Sequence, residues 1–215
     1  CASIWGDLPY ERYVFLIHAG PGLGGGTEHW NSTIMQVGPE ALSDPNLYES
    51  RFLPLAAHEF FHTWNVKRLR PAGLVPYEYS KENYTSLLWV SEGTTSYFEE
   101  ILLVRTGLMT VETALDNWSS AIHHLFEMPG DKVQSLAESS FDSWIKFNQR
   151  HAHSSNVSVN FYHKGALVSL ALDLEIRRLT EGLNNLESVL RQLYEARPLE
   201  KGGFSEEDLK ETLQS

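Results

Sequence analysis

Apolar and polar positions change rhythm once along the chain. Tyr13-Val-Phe-Leu-Ile17 is a short β-branched and aromatic run that predicts a buried strand. A glycine-rich turn follows, Gly20-Pro-Gly-Leu-Gly-Gly-Gly26, and Thr27 to Val37 predicts a second strand, ended by Gly38-Pro39. From Glu49 onward the spacing turns helical. Residues 51–66 predict one helix, 67–83 an irregular connection broken by Pro71, Gly73 and Pro76, and 85–106 a second helix stopped at Gly107. A third spans 111–128, closed by Pro129-Gly130. Residues 164–180, apolar around most of the circumference, predict a largely buried fourth. Residues 186–195 make a fifth, and 205–213 begin a last one. No repeat is visible. The expected architecture is one α+β unit, a β-rich segment over 1–48 followed by a helical part over 49–215 of the same domain.

Composition narrows the function. At 215 residues, 42% hydrophobic and 21% charged, the chain can bury a sizeable core, which excludes disorder as its main state. Lys and Arg number 17 against 28 Asp and Glu, a net charge of −11 that argues against nucleic acid or anionic membrane as partner. No apolar run approaches the roughly 20 residues of a membrane span. The single cysteine, Cys1, gives no sign of an oxidising compartment, so a cytoplasmic location is expected. The chain opens without Met and stops within a helical pattern, which reads as a domain cut from a longer protein.

The sharpest motif is His58-Glu59-Phe60-Phe61-His62. Histidines at i and i+4 share one helix face, so both imidazoles can reach one ion, and zinc favours such nitrogen ligands. Glu59, beside the first ligand, is then placed to take a proton from a metal-activated water. The apolar neighbours Leu55, Phe60, Phe61 and Trp64 put this helix inside the protein, where polar groups need partners. Trp89-Val-Ser-Glu92-Gly93 offers the third ligand, Glu92, in a mostly apolar stretch. Gly93 inside a helix costs about 1 kcal/mol relative to Ala, which points to close approach by another element. Glu99 and Glu100, further along, read as the exposed face.

These residues resemble the gluzincin metallopeptidases, with their thermolysin-like fold. More narrowly, His58-Glu-Phe-Phe-His-Thr-Trp-Asn-Val-Lys-Arg-Leu-Arg-Pro71 is similar to the glycyl aminopeptidase family, whose members carry a C-terminal PDZ domain. The long insert of residues 63–91 between His62 and Glu92 agrees with that family. The resemblance implies one zinc ion, flanking domains as partners, and peptide substrates with a free N-terminus, glycine or alanine preferred. It implies that Gly25-Gly26-Thr27-Glu28-His29 forms the substrate edge, with Glu28 on the substrate's amino group and His29 shaping the same pocket. It also implies that Tyr162, in Phe161-Tyr-His-Lys-Gly165, donates to the oxyanion. Where thermolysin-like helices place an acidic residue to orient a zinc histidine, this chain has Ser96. Rival readings are an endopeptidase of the same fold and a non-catalytic binding domain.

Other polar residues read as background. His151 and His153 lie in a polar loop, His123 and His124 read as half-buried packing, and Lys67, Arg68 and Arg70 as partners of local carboxylates.

Overall fold

A computed structural model describes residues 1–215. The chain is α+β and mostly helical, with one three-stranded sheet. Strands β1 (Val14–Ala19), β2 (Gly25–Glu28) and β3 (Ser32–Val37) lie in the order β1-β3-β2. The central β3 runs parallel to β1 and antiparallel to β2. Residues 27–37 are therefore not one strand. His29 closes a turn by donating its N–H to Ser32 O at 2.8 Å, and the chain folds back with Glu28 opposite Thr33. Nor is β1 buried. Every residue of it but Val14 is exposed, because it forms the sheet edge and only Phe15 gains cover, from Phe60.

Six longer helices follow: α1 (Leu53–Phe61), α2 (Thr94–Arg105), α3 (Val111–Glu127), α4 (Phe161–Leu179), α5 (Leu186–Ala196) and α6 (Glu206–Gln214). All but α2 start within three residues of their expected positions; α2, expected from residue 85, begins at Thr94, after the π-helical turn Trp89–Gly93. α1 is shorter than its apolar pattern, ending at Phe61 in a tight turn where Val66 takes φ 148°, a strained value for a β-branched residue. Two π-helical turns, Tyr48–Phe52 and Trp89–Gly93, lead into α1 and α2.

The main core joins the first helical segment to the last. Phe61 and Trp64 meet Trp5, Phe98, Leu190, Leu193 and Phe204, all essentially inaccessible. Apolar burial on this scale, at about 25 cal/mol per Å², is what holds α1 and α2 side by side. A closer constraint acts between α2 and α4. A Cβ on Gly93 would stand 2.5 Å from Gly165 Cα, so only glycine permits this crossing. The expected reason for Gly93 is thus the observed one.

Candidate metal and active site

Helix α1 presents His58 and His62 one turn apart, and both are buried. Their Nε2 atoms lie 3.3 and 3.2 Å from the same Glu92 oxygen, Oε2. Glu92 sits in the π-helical turn, a local widening that recurs at functional sites. The ligand atoms of His58, His62 and Glu92 all fall within 4.8 Å of one another.

The outer nitrogens are already committed. His58 Nδ1 donates to Glu99 Oε2 at 2.7 Å, and His62 Nδ1 to the backbone carbonyl of Asn65 at 2.7 Å. That leaves both Nε2 atoms as acceptors aimed at one point, the arrangement by which a metal histidine is held. Two imidazole nitrogens and a carboxylate oxygen suit a divalent ion such as zinc, with a coordination position to spare. Burial disfavours charge on His58, but Glu92 and Glu99 outweigh it and push the imidazole up to about 10. The pocket thus calls for positive charge, which a divalent cation also supplies.

Two of these partners overturn the sequence reading. Glu99 is not on an exposed face; its side chain is 21% exposed and it holds His58. Glu100 is turned inward too, accepting from Asn117 Nδ2 at 3.0 Å, and burial pushes its carboxyl up to about 7. A signal was present: residues 92, 96 and 99 recur at spacings of four and three, one stripe of a helix. Ser96 Oγ does come within 3.5 Å of His58 Nδ1, yet the carboxylate is the nearer partner. Asn65 was missed as well. It is fully buried and donates to Val90 O and Ser91 O at 2.8 and 3.1 Å, tying the turn after α1 to the turn that carries Glu92.

Glu59 is buried, and desolvation raises its carboxyl above the ordinary value against the pull of His62 and His58. Strand β2 makes room for it, because a Cβ on Gly26 would collide with the Glu59 carboxyl. Thr33 on β3 places its hydroxyl 3.5 Å from Glu59 Oε2. Tyr162 stands across the cavity with its ring 6.1 Å from that of His58. Burial, then the nearby Glu92, raises its phenol so far that it stays neutral. Tyr162 lies one turn before Gly165, so the glycine crossing is what brings it near Glu92.

His58, Glu59, His62, Glu92, Glu99 and Tyr162 line one cavity of about 670 Å³, together with Gly25, Gly26 and Glu28. His29 does not line it. Glu28 carries an occupant already, Lys67 Nζ at 2.9 Å, with the two side chains 21% and 13% exposed. Lys67 is the one cation of its run that pairs with a carboxylate. Arg68 donates to Thr63 O, Pro9 O and Trp30 O and stacks on Trp30, while Arg70 donates to Val66 O and lies over Tyr77. His123 and His124 prove exposed, because α3 turns that face to solvent, whereas His151 and His153 lie on the surface as read.

Comparisons with known proteins agree with this geometry. The M61 glycyl aminopeptidase family matches residues 51–168. A crystal structure of an aminopeptidase N family protein from Idiomarina loihiensis superposes with a TM-score of 0.91 at 33% identity, covering 97% of this chain and 36% of that one. The chain therefore spans little more than a third of that relative's length. No match was found among curated proteins.

Proposed function

The chain belongs to the M61 glycyl aminopeptidase family, and on that premise we propose that it is the catalytic part of a zinc-dependent aminopeptidase with a thermolysin-like fold. The observation that carries the reading is the convergence of His58, His62 and Glu92 beside the buried Glu59. Held by those three residues, zinc would polarise the scissile carbonyl and lower the pKa of the attacking water.

Everything else falls to the chain's own groups. Glu59, with its carboxyl shifted upward by burial, takes the proton of the attacking water and returns it to the leaving amine. Tyr162 stays a phenol and donates to the oxyanion as it forms. Glu28 at the strand end receives the peptide's N-terminal ammonium, and the glycines at 25 and 26 let the substrate backbone approach β2. The family resemblance suggests glycine or alanine as the preferred first residue.

Replacing Glu59 by Gln should leave metal content unchanged, measured by elemental analysis, and lower turnover of a free-amine dipeptide by roughly 10² to 10⁴. Full activity in that variant would refute the mechanism. One observation favours the endopeptidase reading instead: Glu28 is paired with Lys67. Equal hydrolysis of free and N-acetylated peptides would establish that reading.

A further inference from the structure

Beside the cavity of the metal site lies a second recess of about 260 Å³, and the two share Phe147, Asn160 and His163. No aspartate or glutamate lines the recess, although the chain carries 28 acidic residues against 17 basic ones. Its lining is instead rich in donors: Lys146, Arg150, His124, Gln134 and four serines at 139, 154, 155 and 158, of which Ser139 already donates to Val159 O. The recess shares no residue with β2, so it and Glu28 belong to different walls.

Several details mark it as short of an anion. Arg150 has no ion-pair partner; its guanidinium rests 4.7 Å from the centre of the Phe147 ring. Lys146 pairs with Asp142, which lies outside the recess. Burial, then His124 and Arg150, holds the His163 imidazole below its ordinary value, with no carboxylate set against them. Gln134 is 4% exposed; its oxygen accepts the Val159 N–H at 3.0 Å, and its Nε2 has no partner. The recess also adjoins the start of α4, where Asn160 caps the Tyr162 and His163 N–H groups and the helix end is positive.

We infer that this recess is a subsite for a peptide carboxylate downstream of the scissile bond, either the C-terminus of a short peptide or an acidic side chain of a longer one. The inference rests on the aminopeptidase reading, which sets the direction of the peptide: amine on Glu28, first carbonyl at the triad, leaving fragment toward Tyr162 and the wall beyond it. A guanidinium is well suited to a carboxylate, since it presents paired donors, and charge-assisted bonds of this type are the stronger ones. The site therefore selects a peptide that presents a carboxylate there, at its C-terminus or on a side chain, over the corresponding amide.

The test reads binding on the metal-loaded Glu59→Gln protein by calorimetric titration. One arm compares Gly-Ala-Ala with its C-terminal amide; the other compares the amides of Gly-Glu-Ala and Gly-Gln-Ala. The carboxylate form in at least one arm should bind about tenfold tighter. A preference in the first arm alone assigns the C-terminus, and in the second alone the acidic side chain. Adding Arg150→Gln should bring the ratio to about twofold or less, with Lys146→Gln as an independent second variant and thermal melts to confirm folding. No preference in either arm, or a preference that survives loss of both cations, overturns the inference. Failure of the aminopeptidase reading looks different: N-acetylated Gly-Ala-Ala would bind as well as the free peptide, whatever the ratio of acid to amide.

Discussion

Glu99 holds His58 from behind, and the motif alone never announced it. The carboxylate accepts the Nδ1 proton at 2.7 Å, which fixes the ring and frees Nε2. Glu99→Ala should weaken zinc binding about 10- to 100-fold in a chelator competition, while the fold survives. Its neighbour Glu100 makes a pH prediction. Burial pushes that carboxyl up to about 7, whereas an unfolded chain titrates it near an ordinary value of about 4.3. Between those values the folded form keeps a proton that the unfolded form releases, so its contribution is complete below the window and is lost as pH rises through 7. Glu100→Gln should therefore raise the melting temperature relative to wild type by roughly 2–4 °C at pH 8 and lose that advantage by pH 4. An equal difference at both pH values would remove Glu100 as the cause. Both residues were read as surface because a charged pair on a helix usually is; burial of a carboxylate depends on what packs opposite, which spacing does not report.

At the scale of elements, the contact between Gly93 and Gly165 sets the cavity's width. Adding a methyl group at Gly93 puts it 2.5 Å from Gly165 Cα and against the Phe161 carbonyl, backbone that cannot swing aside. Gly93→Ala should cost about 1–3 kcal/mol in denaturant unfolding and shift Tyr162 from Glu92, so turnover falls even at temperatures where the variant is folded. Unchanged stability would mean that the helices separate freely. The need for a close approach was legible in the sequence, since a glycine amid Trp89-Val-Ser-Glu92 and Thr94-Thr-Ser-Tyr97 has little other use. Its partner was not, because pairing between elements distant in sequence leaves no local mark. Helices α3 and α5 were legible for the opposite reason: caps such as Thr110 and Asn185 and an apolar stripe are local features. Helix α4, by contrast, begins three residues before its expected apolar run, at the Asn160 cap. The hairpin between β2 and β3 was hidden because Thr27 to Val37 carries a continuous strand-like composition, and the His29–Asn31 turn has no glycine or proline to betray it.

Across the whole molecule, the charge of −11 sets the background against which every substrate arrives. Such a surface attracts ammonium groups in general, and salt normally erodes an attraction of that kind within a screening length of about 10 Å at 0.1 M. The Glu28–Lys67 pair changes that expectation at the one carboxylate proposed to matter. A peptide amine that displaces the Lys67 amine exchanges one monovalent cation for another, an isocoulombic swap whose electrostatic work nearly cancels. The Michaelis constant for Gly-Ala amide should then vary less than about twofold between 50 and 500 mM sodium chloride, unlike that of an enzyme offering a bare carboxylate. A steep climb across that range would show that the lysine tether has already let go before the guest arrives.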